Sequence, residues 1–432
     1  MGMRRTVKWL ILVVMSVMLL GVTCGAYGET IVTMTSMAAA PYNEALPKLV
    51  EMFEKQNPDI KIKVEYYPFT QLMEITEVKL GSKSSTPDVL FVDGPLVAAY
   101  TSRGYLLPLD QYFTQSEQSQ WVDASLKAAK AGGKLMTAPL NNSTQVLFYN
   151  KRIFRENGIA PLSKDPKDRL TWEEVLELAK KLTIDKNKDG IPEVWGICLN
   201  QVNRPYQCLA LPNSLGGKGI SDDGLKSRGY IDSPEWVKAF TFYQDLFNKY
   251  KVAPKGITTE ETVNYFTSGR LAMLVAGEFN YKTLQNTPGL EWDYAPHPYF
   301  AGGVAATPTG SWHVGINRYT KVPDAAAKWV KFLTTAPGCV EWFKLDGHLP
   351  PNKNSLAYIA SDPRFSKWPD DIYRLGTYEA QNTAVPRPLT PGYLEWEQVL
   401  TQAIEDIRNG ADVKSTLSSA AARIDSMLLK YK

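Results

Sequence analysis

Apolar and polar positions along the first third of the chain predict strands and helices in turn. Residues 31–34 form a short apolar run, and residues 46–53 then place apolar side chains at the spacing of one helix face. Residues 60–65 alternate apolar with charged side chains, and after a second helical segment residues 89–92 are continuously apolar and end at Asp93. This alternation predicts a parallel sheet with helices on its faces, which is an α/β fold.

A polar cluster interrupts this pattern and indicates a change of domain. The cluster is formed by residues 141–144, and a new apolar strand follows at residues 146–149. We interpret the cluster as the first crossing of the chain into a second lobe. In that lobe Thr171 and Glu174 form a capping box at the start of one helix, and Pro234 begins another.

The stretch YFTSGRLAMLVAGEFNY, residues 265–281, combines a buried strand with polar and aromatic side chains. Residues 271–276 form an apolar run bounded by glycines, which predicts a strand buried on both faces. Glu278, Phe279 and Asn280 follow at its carboxyl end, where open α/β sheets bind ligands. Carboxylate, amide and aromatic groups together suit a neutral molecule that carries many hydroxyls.

The remaining pattern predicts two strands and three helices. Residues 292–298 and 311–316 are the strands, and residues 323–334 form a helix. Residues 396–429 form two amphipathic helices, separated by Asn409-Gly410.

Composition excludes several classes of protein. The chain of 432 residues is long enough for two or three domains, and its net charge of +3, spread over interspersed charges, favours neither nucleic acid nor a membrane surface as a partner. The sequence contains no P-loop, dinucleotide glycine fingerprint, HExxH or GxSxG motif. His297, His313 and His348 lack metal-ligand spacing. We therefore predict a protein that is not an enzyme, with a hydrolase built on two distant carboxylates as the alternative.

The amino terminus predicts export. Arg4, Arg5 and Lys8 precede the apolar run 9–20, and residues 26–28 offer the pattern that a signal peptidase cleaves, so residues 1–28 are expected to be a signal peptide. The run is shorter than the roughly 20 residues of a spanning helix. The mature protein is then periplasmic or held at the outer face of the membrane, the latter if Cys24 is a lipid anchor.

The mature chain retains Cys198, Cys208 and Cys339. In an oxidising compartment Cys198 and Cys208 are close enough in sequence to pair across a loop. Three buried free thiols are the alternative.

One loop resembles the first half of an EF-hand. Its candidate calcium ligands are Asp185, Asn187, Asp189, Ile191 and Glu193. Gly196 stands where the bidentate Glu of that motif belongs, so a turn rich in Asn and Asp that binds no metal is the competing interpretation. No other cofactor is predicted.

Six segments, spread in order over nearly the whole mature chain, resemble one family. They are DVLFVDGPLVAAYTSRGYLLPLD, NNSTQVLFYNKRIFRENGI, LTWEEVLELAKKLT, YFTSGRLAMLVAGEF, GSWHVGINRYTKVPDAAAKWVKFLTT and AVPRPLTPGYLEWEQVLTQAIEDIRNG. They resemble extracellular solute-binding proteins, the maltose-binding-protein-like sugar receptors of ATP-binding-cassette importers.

The resemblance implies a periplasmic-binding-protein-like fold of type II, with two discontinuous α/β lobes joined by hinge strands. Residues 29–139 plus 289–335 would form the first lobe, and residues 140–288 plus 336–432 the second. The implied protein is a monomer that closes over a sugar and delivers it to membrane permease subunits. The alternative within this fold is a non-sugar solute such as a polyamine or a glycerophosphodiester.

Sugars are bound by planar polar groups that pair with hydroxyls and by aromatic rings that cover C–H faces. The candidate ligand-binding residues are Thr35, Ser36, Asp93, Asn142, Thr144, Arg204, Glu278, Phe279, Asn280, Trp312, His313 and Arg387. Trp312 is favoured because it matches the tryptophan that follows a glycine in the family. Capping by Asp93, Thr35 and Ser36, loop anchoring by Arg387 and a surface location of His313 are the structural alternatives.

Overall fold

The computed structural model describes residues 29–200, 204–258, 261–310, 312–335 and 338–432. The strands in chain order are β1 (Thr30–Met37), β2 (Ile60–Tyr67), β3 (Val89–Asp93), β4 (Lys130–Ala131), β5 (Lys134–Leu135), β6 (Thr137–Pro139), β7 (Gln145–Asn150), β8 (Trp195–Leu199), β9 (Leu271–Gly277), β10 (Trp292–Pro296), β11 (Thr307–Thr309), β12 (Trp312–Ile316) and β13 (Ala384–Pro386).

The α-helices in chain order are α1 (Ala40–Gln56), α2 (Phe69–Gly81), α3 (Leu96–Ser102), α4 (Gln115–Gln118), α5 (Asp123–Ala129), α6 (Lys151–Glu156), α7 (Trp172–Leu182), α8 (Pro205–Cys208), α9 (Ala210–Ser214), α10 (Pro234–Asn248), α11 (Glu261–Thr267), α12 (Tyr281–Gln285), α13 (Pro323–Thr334), α14 (Gly338–Asp346), α15 (Lys353–Ser361), α16 (Ile372–Asn382), α17 (Tyr393–Arg408) and α18 (Val413–Leu428). Short 3-10 helices cover Pro166–Asp168, Glu278–Asn280, Pro363–Ser366 and Leu429–Tyr431.

The first lobe is organised around a five-stranded sheet with the order β2-β1-β3-β12-β6. The three amino-terminal strands pair in parallel, as predicted, whereas β12 runs antiparallel to both of its neighbours. Helices α1 and α13 cover the sheet, and Phe53 packs edge-on against Trp329 with ring centroids 5.0 Å apart.

The second lobe is organised around a four-stranded sheet with the order β10-β7-β9-β8. Strand β9 lies inside this sheet and is buried at every position, which confirms the prediction of a strand buried on both faces. Helix α7 begins at the predicted capping box, because Thr171 Oγ1 accepts from Glu174 N at 3.2 Å and Glu174 Oε2 accepts from Thr171 N at 2.7 Å. Helix α13 has the predicted bounds.

The chain passes between the lobes at three crossings: the first over residues 140–144, the second over 297–310 and the third over 347–350. The predicted boundaries differ at the second and third. Strand β10 pairs with β7, so it belongs to the second sheet, and α14 packs against α1 of the first lobe. An apolar pattern identifies a strand or helix but does not say which sheet it joins, so these boundaries were placed too early.

The predicted signal peptide and Cys24 lie outside the described residues. Within the described part of the chain, no helix has the length and apolar composition that crossing a bilayer requires. Cys198, Cys208 and Cys339 are buried and form no disulfide, so the structure supports the alternative to the proposed disulfide.

Substitution of Gly196 tests the close packing of β8 against α7. Strand β8 lies so close to helix α7 that a Cβ at this position would approach Ala179 O to 2.2 Å. Because backbone rather than a flexible side chain blocks the space, we expect Gly196→Ala to lower the free energy of unfolding by about 2 kcal/mol or more in denaturant titrations. Gly81 at the end of α2 is the control, because the nearest atom to its added Cβ is Tyr105 Oη at 3.5 Å. An equally stable G196A protein would contradict this packing.

Candidate functional site

Asn142 connects all three crossings. Its backbone N–H donates to Leu349 O of the third crossing at 2.6 Å, and its Oδ1 accepts from the Thr309 hydroxyl of the second. The same oxygen accepts from Ser143 N at 2.9 Å, and the side chain is fully buried. The polar cluster that we interpreted as a crossing is therefore a hinge, and Asn142 is built into it.

Thr144 and Glu278 join the first crossing to the end of β9. Glu278 Oε2 accepts from Thr144 N at 2.7 Å, and Glu278 N donates to Thr144 O at 3.1 Å. Glu278 is 1% exposed, and its other carboxyl oxygen has no hydrogen-bond partner among the described residues. Burial raises the pKa of this carboxyl to about 7, although hydrogen bonds from Thr144 and the charge of His348 act in the opposite direction.

Asp93 and Arg387 bind each other across the boundary between the lobes. Asp93 ends β3 of the first lobe, and Arg387 Nη1 donates to its Oδ2 at 2.9 Å, with Nη2 bonded to Oδ1. The guanidinium also lies 5.0 Å from the ring of Tyr206 in the second lobe. Both charges are therefore engaged with protein groups, and Asp93 pairs with a cation instead of capping a helix.

Tyr206 extends this connection to the hinge. Its hydroxyl lies 2.9 Å from Ser143 Oγ, which also donates to Gly310 O at 2.5 Å. The ring can approach because residue 310 is a glycine, where a Cβ would lie 2.8 Å from the Tyr206 ring. Tyr206 lies two residues after the predicted Arg204, and residues 201–203 lie outside the described part of the chain.

Two further predicted residues form hydrogen bonds with other groups of the protein. Arg204 is half-buried and its Nε donates to Glu397 Oε1 at 3.2 Å. Asn280 is half-buried and its Nδ2 donates to Gly277 O at 3.0 Å.

Thr35 and Ser36 do not follow the first strand, as the sequence suggested, but lie within it. Strand β1 continues to Met37, and both side chains are fully buried. The alternative that they cap a helix is wrong, because both lie in the β1 ladder with β2, which extends to Met37↔Tyr67.

His313 lies inside the first sheet. It is fully buried, and its Nδ1 lies 2.8 Å from Thr137 Oγ1 on the neighbouring strand. Burial lowers its pKa to about 3, which keeps the imidazole neutral. The surface location considered for His313 is wrong.

Trp312 begins β12 and remains half-buried. Its backbone N–H donates to Asn141 Oδ1 at 2.9 Å, and its ring stacks on Phe91 with centroids 4.5 Å apart and planes 25° apart. The indole is therefore held by the hinge and by β3, with part of its surface exposed.

A row of aromatic rings runs from Trp312 across the boundary into the second lobe. Phe91 packs edge-on against Tyr42 at 5.3 Å, and Tyr42 stacks on His348 at 5.7 Å. His348 in turn stacks on Phe279 at 6.0 Å. We call these five residues the aromatic row. Of its members, the sequence singled out only Trp312 and Phe279.

Glycine positions Phe279 at its end of the row. A Cβ on Gly277 would lie 2.1 Å from the Phe279 ring, so the ring folds back over the strand end only because residue 277 has no side chain. The sequence gives a weaker signal for His348. This residue follows Gly347, whose φ of +79° marks a turn. No local sequence pattern indicates that Tyr42, Phe91 and His348 pack into one row with Phe279.

A cavity of about 350 Å³ also lies at the boundary between the lobes. Its lining includes Lys127 from α5, the loop 216–222 and residues 385–389, with Arg387 among them. Apart from Arg387, it contains none of the predicted ligand-binding residues.

The loop proposed for calcium is held by its own backbone. Asp185 Oδ2 accepts from Gly190 N at 2.9 Å, and Glu193 Oε2 accepts from Lys186 N at 2.8 Å. Asn187 Oδ1 accepts from Asp189 N at 3.1 Å. No group of three or more His, Cys, Asp or Glu side chains with metal-binding geometry occurs in the described residues. Calcium binding here stays a prediction.

Comparisons with known proteins point to one family. A family model described as bacterial extracellular solute-binding protein matches residues 39–338. The chain is 25% identical to the galactooligosaccharide-binding protein of Bacillus subtilis, over 86% of this chain and 84% of that protein. It is also 23% identical to the sn-glycerol-3-phosphate-binding periplasmic protein of Salmonella paratyphi A, over 89% of each chain. The maltose-bound structure of MalE3 from T. maritima superposes with a TM-score of 0.74 at 25% identity, covering 93% of this chain and all of that one.

The bond between Asp93 and Arg387 is expected to hold the lobes together. The change Asp93→Asn leaves a buried guanidinium without its counterion, and separation of the lobes relieves this by admitting water. We therefore expect a larger radius of gyration for ligand-free D93N than for the unaltered protein in small-angle scattering. Asp59→Asn, an exposed change in the same lobe, is the control. Unaltered scattering and stability in D93N would contradict this role.

Glu278 makes stability depend on pH. Because its pKa is raised from 4.5 to about 7 in the folded protein, folding favours its protonated form. The stabilisation is complete below pH 4.5 and disappears as pH rises through 7. From pH 5 to pH 8, the free energy of unfolding of the unaltered protein should fall relative to that of Glu278→Gln by roughly 3 kcal/mol. Denaturant titrations at both pH values measure this difference in the free energy of unfolding, and the exposed change Glu74→Gln is the control. Parallel pH profiles for E278Q and the unaltered protein would contradict the prediction.

Proposed function

The chain belongs to the family of bacterial extracellular solute-binding proteins, and from that premise we propose that it captures a carbohydrate between its two lobes for an ATP-binding-cassette importer. As a member of an extracellular family, the protein acts outside the cytoplasm. The proposal extends to a monomer that, once closed on its ligand, docks on membrane permease subunits.

The observation that carries the carbohydrate proposal is the aromatic row at the boundary between the lobes. Trp312 and Phe279 are only half-buried, so part of each ring remains accessible near the hinge. Pyranose rings bind to such faces through their C–H surfaces. Glu278 Oε1, buried and without a hydrogen-bond partner among the described residues, lies close to the same row, and a sugar hydroxyl is a suitable partner for it.

The charges argue against the alternative of a phosphate-bearing solute. Recognition of a phosphodiester needs cationic groups that face the ligand. Arg204 is paired with Glu397 and Arg387 with Asp93, so both arginines among the predicted residues already bind carboxylates. A polyamine would need several unpaired carboxylates, and Asp93 is paired. A polysaccharide-active enzyme is disfavoured because the row brings together rings rather than a pair of acids.

Hinge closure is the proposed mechanism. The first crossing is tied to the other two through Asn142, so rotation of the lobes must occur around this bonded group. A ligand that contacts both lobes stabilises the closed arrangement by the affinity that it gains there.

A thermal-shift screen of residues 29–432 against mono- and oligosaccharides tests the proposal, with polyamines and glycerophosphodiesters as controls. A ligand at a hundred times its dissociation constant stabilises the native state by about 2.7 kcal/mol. We expect a shift with one group of sugars, together with compaction in small-angle scattering. Shifts only with a polyamine or a phosphate ester would overturn the carbohydrate assignment and keep the receptor.

Trp312→Ala then locates the site. Removing a ring that stacks on the sugar should weaken binding about tenfold in calorimetry. Trp368→Ala removes an indole that is 46% exposed in the second lobe and should leave the affinity unchanged. Lys127→Trp places an indole in the 350 Å³ cavity. Loss of binding in K127W with normal binding in W312A would assign the ligand to the cavity instead of the aromatic row.

A further inference from the structure

His348 stands between the lobes in the aromatic row, where its neighbours are Tyr42 and Phe279. Its imidazole stacks on Tyr42 at 5.7 Å on one side and on Phe279 at 6.0 Å on the other, and the planes are 22° apart at both contacts. Tyr42 is 2% exposed and belongs to the core of the first lobe, whereas Phe279 follows β9 of the second. His348 therefore contacts one aromatic ring from each lobe, and we call the space that its imidazole occupies beside these two rings the slot.

The backbone explains how a histidine reaches this place. His348 follows Gly347, which adopts a φ of +79° that side chains other than glycine rarely tolerate. A Cβ on Gly347 would also lie 2.6 Å from Lys282 Nζ and 2.9 Å from Tyr373 Oη. The third crossing therefore turns sharply at the end of α14 and presents His348 to the slot.

The slot has the shape and chemistry that a sugar ring needs. A pyranose can pack its C–H faces on aromatic rings, and Tyr42 and Phe279 both contact the ring that fills the slot. Its hydroxyls would lie near Glu278, whose charge interacts with that of His348 and whose Oε1 lacks a hydrogen-bond partner among the described residues. The imidazole therefore occupies the space where the flanking groups are best suited to hold a sugar.

We propose that His348 is a displaceable plug: its ring fills the slot between Tyr42 and Phe279 in the ligand-free protein, and one sugar ring of the ligand takes its place. This inference rests on the proposed carbohydrate function, and it adds that the His348 ring lowers the affinity for the sugar. A ligand must displace the imidazole before it binds, so the apparent affinity is reduced by the fraction of molecules in which the slot is filled. The same ring excludes ligands too small or too polar to compensate for the lost stacking.

Substitution of His348 gives opposite results for a plug and for a direct ligand contact. In His348→Ala the slot is open, so the sugar identified by the thermal-shift screen should bind about tenfold more tightly in calorimetry. His348→Phe keeps a flat ring in the slot and should bind no more tightly than the unaltered protein. Weaker binding by H348A would overturn the plug, because it would mean that His348 contributes to ligand binding.

Proton NMR of the unaltered protein tests the plug without any substitution in the site. The chain has only three histidines, and His297 and His313 are buried, so the His348 ring signal is identified by its loss in H348F. Stacking between two aromatic rings should shift this signal upfield in the ligand-free protein, and Phe279→Ala should reduce the shift. Added sugar should then move the signal to the position of a solvent-exposed histidine.

The outcomes separate this inference from the proposed function. An unshifted signal in the ligand-free protein, or a shifted signal that saturating sugar leaves in place, would overturn the plug while carbohydrate binding stands. If neither the unaltered protein nor H348A binds any carbohydrate, the proposed function fails and the plug fails with it.

Discussion

The hydrogen bonds of Asn142 are the constraint on which the relation between the lobes depends. One residue donates its backbone N–H to the third crossing and accepts with its side chain from the second, while belonging to the first. A two-lobed protein needs a pivot that is fixed in position while the bodies on either side rotate. Three chain segments bonded through a single buried residue provide such a pivot, because the second and third crossings cannot move away from Asn142 without breaking a bond that is shielded from water.

Around this pivot, polar and aromatic contacts across the boundary have different consequences for ligand choice. The pair of Asp93 and Arg387 satisfies its own charges, so it stabilises proximity of the lobes without attracting an ion from solution. Of the aromatic row, Trp312, His348 and Phe279 keep part of their surface exposed, whereas Tyr42 and Phe91 are buried. Partly exposed rings beside an ion pair that satisfies its own charges favour solutes that are recognised by shape and hydroxyl pattern over solutes recognised by charge.

Sequence patterns predicted the positions of strands and helices better than they predicted which strands pair. The bounds of α13, the capping box of α7 and the buried strand β9 follow from local spacing, and all are present. The sheet to which β10 belongs does not follow from spacing, because pairing of β10 with β7 joins residues more than a hundred positions apart.

The same limit applies to the candidate site. Glu278 and Phe279 were predicted because they follow a recognisable strand, whereas Tyr42 and His348 lie in a helix and a loop where no local pattern marks them. The pairing of Asp93 with Arg387 could not be foreseen either, since position along the chain gives no information on which charges neutralise each other.

The place of β12 in the first sheet has a consequence for how the chain acquires its structure. Strand β12 lies between β3 and β6, and it is the only strand among those described that pairs with β6. The first lobe therefore cannot complete its sheet until residue 316 is available, although its other strands are made within the first 139 residues. Contacts so distant in sequence form slowly, because a long loop must close before they are gained. Translation delivers the amino-terminal strands well before β12, so the first lobe stays incomplete until most of the chain has been made.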